Sequence, residues 1–150
     1  MRSAGEARFR VQAPNSTPRA IKVIALDVTG EAVVRRVARA GWNHATFFTA
    51  ASDDELSDLA GHPSSVTREV DAADLVVLVA GPGGDARAAS VIGQACSLRR
   101  VMTTGFIVGA STASGTALSN TLSQLRPWSL MVVIAESDEY IDDMLTALRA

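Results

Sequence analysis

Apolar residues along the chain fall into short runs rich in β-branched side chains, and between these runs they recur at the spacing of an amphipathic helix. Ala20–Leu26 reads as a first strand. Ala32, Val33, Val34, Val37 and Ala38 then place one apolar face on a helix over Glu31–Ala40 that Gly41 closes. Ala45–Ala50 reads as a second strand. Ser52-Asp53-Asp54-Glu55 fits a capping box opening a helix that Gly61 and Pro63 end, and Ser65–Val70 reads as a short strand. Leu75–Ala80 is an uninterrupted apolar run of the kind buried on both faces of a parallel sheet. A helix over Asp85–Leu98, a strand over Val101–Gly109, a helix reaching Leu125, a strand over Leu130–Ala135 and a last helix capped by Ser137-Asp138-Glu139 complete the alternation. Such alternation predicts an α/β fold with a mainly parallel sheet in three layers and right-handed crossovers, Ile21–Leu26 and Leu75–Ala80 lying at its centre.

The chain turns most sharply at Gly81-Pro82-Gly83-Gly84-Asp85, directly after the central apolar run. Ligands of open α/β sheets bind outside the carboxyl ends of the strands, and glycines there let backbone N–H groups approach an anion. Gly81, Gly83, Gly84 and Asp85 are therefore candidate ligand-cleft residues, with Gly83 and Gly84 as N–H donors and Arg87 as the nearest fixed cation. Asp27-Val28-Thr29-Gly30 follows the first strand and adds Asp27 and Gly30, although the Asp27 carboxylate repels a phosphate unless a cation intervenes. Ser111 and Ser114, in Ala110-Ser111-Thr112-Ala113-Ser114-Gly115-Thr116, come to the same end of the sheet. They are either ligand donors or turn and N-cap residues.

Other chemistry has a simpler explanation at each place. Asp53, Asp54, Glu55 and Asp58 suit the first turn of a helix without a metal. Cys96, one turn after Ile92, reads as a small core residue rather than a nucleophile. A serine nucleophile needs a histidine within reach; His44 belongs to the amino edge of the sheet and His62 to a loop. Gly93 inside its helix costs about 1 kcal/mol relative to alanine, which asks for a packing reason. Arg35, Arg36 and Arg39 line the solvated face of the first helix.

With 150 residues, 47% of them hydrophobic, the expectation is one domain over residues 20–150, preceded by a flexible basic tail over residues 1–19 that carries Arg2, Arg8, Arg10 and Arg19. A net charge of −2 offers no general attraction to nucleic acid or to an anionic membrane, and neither is expected as a partner. The lone Cys96 and the lack of a signal-like apolar stretch make a cytoplasmic location the expectation.

Ile21-Lys22-Val23-Ile24, followed by Ala32-Val33 and Arg39-Ala40-Gly41, resembles the opening of the bacterial tubulin homologue FtsZ, with Asp27-Val28-Thr29-Gly30 in place of that family's longer glycine-rich loop. Phe47-Phe48-Thr49-Ala50-Ala51-Ser52-Asp53 is similar to the family's second strand and its Asn-Thr-Asp ending. Ala51 and Ser52 stand where asparagine and threonine are expected, and Asp53 is retained. Ala73-Asp74 through Gly84 resembles the strand leading into the tubulin signature loop GGGTGTG, which Asp85-Ala86-Arg87-Ala88 breaks off. Ser111–Leu118 occupies the region where the family holds the ribose with a glutamate and an arginine, and Ser114 and Leu118 replace them. The resemblance implies a Rossmann-like, reduced nucleotide-binding domain without GTPase activity. The acidic residues that the family contributes from a neighbouring subunit have no counterpart here. A rival pattern is Gly81-Pro82-Gly83-Gly84-Asp85-Ala86, which satisfies the G-x-G-x-x-A form of a dinucleotide fingerprint but does not follow the first strand.

These readings favour an interaction or regulatory module over an enzyme. A homo-oligomer and a small anionic ligand are the expected partners, and the cofactor is a nucleotide or none.

Overall fold

The strands pair in the order β4-β3-β2-β1-β5-β6-β7, a seven-stranded sheet. They are β1 Ile21–Ala25, β2 Ala45–Ser52, β3 Glu55–Asp58, β4 Pro63–Ser65, β5 Leu75–Ala80, β6 Met102–Val108 and β7 Met131–Ala135. This computed structural model describes residues 20–52, 54–110 and 113–150, so the basic tail expected over residues 1–19 lies outside the described residues. Five strands, β2, β1, β5, β6 and β7, run parallel. The pairs β2–β3 and β3–β4 are antiparallel, so the sheet is mixed, with β1 and β5 at its centre.

Alternation along the central strands divides the interior into two layers. Ile21, Val23 and Ala25 of β1 with Leu75, Val77 and Val79 of β5 face helices α1 (Val28–Ala38) and α5 (Glu139–Ala147), through Val33, Val34, Val37, Ile141 and Leu145. Ile24, Val76, Leu78 and Ala80 face the other way, toward α2 (Val66–Asp71), α3 (Ala88–Arg99) and α4 (Gly115–Leu125). Every residue of β5 is buried. Each large apolar side chain so buried contributes about 1.5–3 kcal/mol, so these two clusters, rather than helix propensity, hold the layers together. Gly93 of α3 has its packing reason: a Cβ there would come 2.6 Å from Trp128 Cγ, in the 3₁₀ turn Arg126–Trp128.

One segment departs from the expected pattern. Where a capped helix and then a strand were expected over Ser52–Val70, the chain makes the hairpin β2–β3–β4 and then the helix α2. Ser52 and Glu55 oppose each other across the hairpin turn instead of capping a helix, their side chains 3.5 Å apart. The cap is Ser65, whose Oγ accepts the Arg68 N–H at 3.1 Å. Period-two spacing explains the outcome: Leu56 is buried with Phe48 and Val66, while Glu55 stays exposed beside it. The acids at 54, 55 and 58 therefore belong to a hairpin and not to a helix dipole; Asp53 lies outside the described residues. No helix among the described residues is long and apolar enough to cross a membrane.

Candidate functional site

The site begins at Asp27, where β1 turns into α1. Asp27 is extended, at φ −147° and ψ −177°, and caps α1, which starts at Val28, earlier than the expected Glu31. Its Oδ1 accepts the Gly30 N–H at 2.7 Å, and its two oxygens accept the Gly81 N–H at 3.2 and 3.1 Å. One carboxylate thus ties the turn after β1 to the turn after β5. Burial raises the Asp27 pKa above the usual carboxylate value. The two N–H groups pull it down, and the nearby charge of Asp85 adds to the rise.

Three of the candidate glycines are required by protein atoms. A Cβ on Gly30 would overlap the Val79 carbonyl, one on Gly84 would overlap the Asp27 carboxylate, and one on Gly81 would come 2.6 Å from Thr29 Cβ. Gly83 is different: its φ of +81° is the left-handed region that favours glycine. Its N–H donates to Thr121 Oγ1 at 2.8 Å, and the Gly84 N–H donates to the Gly81 carbonyl at 3.4 Å. The two N–H groups expected to meet an anion therefore have acceptors within the chain. Gln124 Oε1 accepts the Ala86 N–H at 3.3 Å, so α4 braces the loop twice.

Downstream, α3 starts at Ala88 and not at Asp85. Its N-cap residue, Arg87, makes no capping bond. Asp85 instead accepts the Arg87 N–H at 3.0 Å and its Nε and Nη2 at 2.9 and 2.7 Å, and this guanidinium holds the carboxyl down at about 2. Arg87, the expected cation, is thereby neutralised by its own neighbour. Ser114 is exposed and caps α4, accepting the Ala117 N–H at 3.1 Å. Ser111 lies outside the described residues, as does Thr112.

Beside this closed turn is an open cavity of about 520 Å³, between β2, β3 and α3. Leu26, Leu56 and Ile92 line its apolar part, and Glu55, Asp85 and Arg87 its polar part. With Asp85 and Arg87 paired, Glu55 leaves the rim with an acidic balance. Neither histidine joins it. His44 precedes β2 at the amino end of the sheet, and His62 pairs with Asp58 at 3.2 Å in the β3–β4 hairpin. Among the described residues no group of three or more His, Cys, Asp or Glu is placed to hold a metal ion. Cys96 is buried, and burial pushes its thiol pKa up, as befits a core residue.

Sequence reasoning missed Thr121 and Gln124. Thr121 is fully buried at helical spacing with Leu118, Leu122 and Leu125, and a lone hydroxyl at the apolar phase of a helix is the signal that marks it.

No family model matches the chain, and no curated protein does. Among the solved structures that match it is the apo form of translation elongation factor SelB from Methanococcus maripaludis, at 9% identity and a TM-score of 0.49, covering 87% of this chain and 35% of that one. The chain thus spans about a third of that structure's length.

Proposed function

We propose that the chain is an FtsZ-like, Rossmann-like domain whose phosphate site is closed by its own Asp27 carboxylate, and that it serves as an interaction or regulatory module without GTPase activity. The observation that supports this is the Asp27 carboxylate itself: an anion of the protein takes the Gly30 and Gly81 N–H groups at the strand ends where a ligand's anion would need them. A phosphate brought there meets a fixed negative charge, with Gly83 and Gly84 already bonded and Arg87 already paired. Thermal shift with GTP, GDP, NAD and inorganic phosphate, together with a phosphate-release assay, tests the reading. The unaltered protein should show no shift and no turnover. Asp27→Ala, which removes the competing charge, should show a larger shift with phosphate-bearing ligands than the parent. A shift with GTP in the parent, or turnover lost on a cleft substitution, overturns it.

The cavity between β2, β3 and α3 supports a second reading, a small-molecule or nucleotide site. Its volume falls within the range of ordinary ligand pockets, and it lies at the carboxyl ends of β1 and β2. A ligand there is held by apolar contact and by hydrogen bonds to Glu55 and Ser52, without reliance on a phosphate grip.

A further inference from the structure

The cavity between β2, β3 and α3 owes its space to small side chains. Ala50 and Ala51 line it from β2, and Ala88 lines it from the first position of α3. Side chains in folded proteins otherwise pack at crystal-like density, so three alanines around about 520 Å³ keep open a space that larger residues would close. The β2 wall is also irregular. Pairing with β1 ends at Thr49, and the register with β3 shifts between Ala50 and Ser52, which leaves Ala51 without a partner strand on either side. Bulges recur next to active sites, where they end pairing and re-aim side chains.

The charges on the walls are unequal. Asp85 and Arg87 close on each other through side-chain bonds of 2.9 and 2.7 Å, so together they present no net charge. Glu55 is exposed and makes no ion pair among the described residues. Its neighbour within hydrogen-bond range is Ser52, whose Oγ donates to Oε1 at 3.5 Å. Leu26, Leu56 and Ile92 supply the apolar part of the lining.

We propose that the cavity binds a small primary amine, with a compact apolar body against Leu26, Leu56 and Ile92 and an ammonium group donating to the Glu55 carboxylate and the Ser52 hydroxyl. The inference rests on the second reading above, that the cavity is a small-molecule site, and narrows it to one ligand chemistry. An ammonium brings the donors and the charge that an unpaired carboxylate and a hydroxyl oxygen accept. A carboxylate or phosphate in the same place meets Glu55 with like charge.

Three probes of similar shape and different charge test it on the full chain: tryptamine, tryptophol and indolepropionate, which end in an ammonium, a hydroxyl and a carboxylate. Binding is read from amide shifts in heteronuclear NMR spectra. Tryptamine should move the amides of Ala51, Ser52, Leu56 and Ala88. Tryptophol should bind about tenfold more weakly and indolepropionate more weakly still, the differences narrowing as salt is raised. Glu55→Gln should bring tryptamine to the level of tryptophol and leave tryptophol itself unchanged. Ala88→Leu should weaken all three, while Glu136→Gln, at an exposed acid outside the cavity, should keep their order. Equal affinity for the three probes, tighter binding of indolepropionate, or a tryptamine Kd that Glu55→Gln does not change overturns the amine assignment and leaves the cavity reading standing. Absence of shifts at those amides with every probe at about 5 mM overturns the assignment and the cavity reading together. Glu55 is exposed, so the charge variant keeps the test decisive even if Ala88→Leu folds poorly.

Discussion

The two turns that Asp27 ties together, after β1 and after β5, and the cavity between β2, β3 and α3 are neighbours at the same end of the sheet, yet one is filled and the other open. In the turn, Asp27, Thr29 and the Val79 carbonyl occupy the space that Gly30, Gly81 and Gly84 leave free. In the cavity, apolar side chains stop short of one another and leave about 520 Å³. Glycines clustered at a strand end are thus not by themselves evidence of a bound phosphate. They permit close approach, and what approaches is decided by the polar groups that the rest of the chain brings to them.

Substitutions can break this contrast in graded steps. The largest effect is expected for Gly30→Ala, because the new methyl meets a backbone carbonyl of a central strand that cannot yield. A loss of about 3 kcal/mol, read from urea unfolding, is expected. Gly84→Ala comes next, at about 2 kcal/mol, since its methyl displaces a side chain, Asp27, and with it the Gly30 and Gly81 bonds. The double variant Gly84→Ala/Asp27→Ala should be less destabilised than the sum of the two singles; strict additivity would mean that the two residues do not meet.

Thr121→Val keeps the shape of the buried side chain and removes the acceptor of the Gly83 N–H. A cost of about 1–2 kcal/mol is expected, with the loop over residues 81–86 exchanging amide protons faster than the strands around it. A smaller and pH-dependent effect attaches to Asp27→Asn. Because the folded-state pKa of Asp27 is raised above 3.8, the native state holds its proton more tightly than the unfolded chain. The carboxylate's contribution is therefore most favourable below 3.8 and declines as pH rises through the raised value. The stability of the parent relative to Asp27→Asn should fall across that window and level off above it; a flat difference would contradict the assigned burial. The smallest effect belongs to the cavity rim. Arg87→Ala removes an exposed ion pair and should leave the unfolding midpoint unchanged while freeing Asp85 to titrate nearer the ordinary carboxylate value.

The sequence by itself determined the elements whose burial is one-sided or complete. The all-apolar run of β5 suits only a strand buried on both faces, and Val33, Val34 and Val37 suit only a helix lying on a sheet, so the strand–helix alternation and the central place of β1 and β5 were legible. Gly81, Gly83 and Gly84 were legible as a place where backbone freedom mattered. Tertiary structure alone decided how that freedom is used. The bonds from Gly81 to Asp27 and from Gly83 to Thr121 join residues 54 and 38 positions apart, and no local pattern carries such pairings. Tertiary structure also decided the hairpin after Ser52, where a local capping pattern competed with the burial of Leu56 beside Phe48 and Val66. A cap is worth about 1 kcal/mol and a buried leucine about twice that, so packing against a core assembled from distant residues prevailed over the local signal.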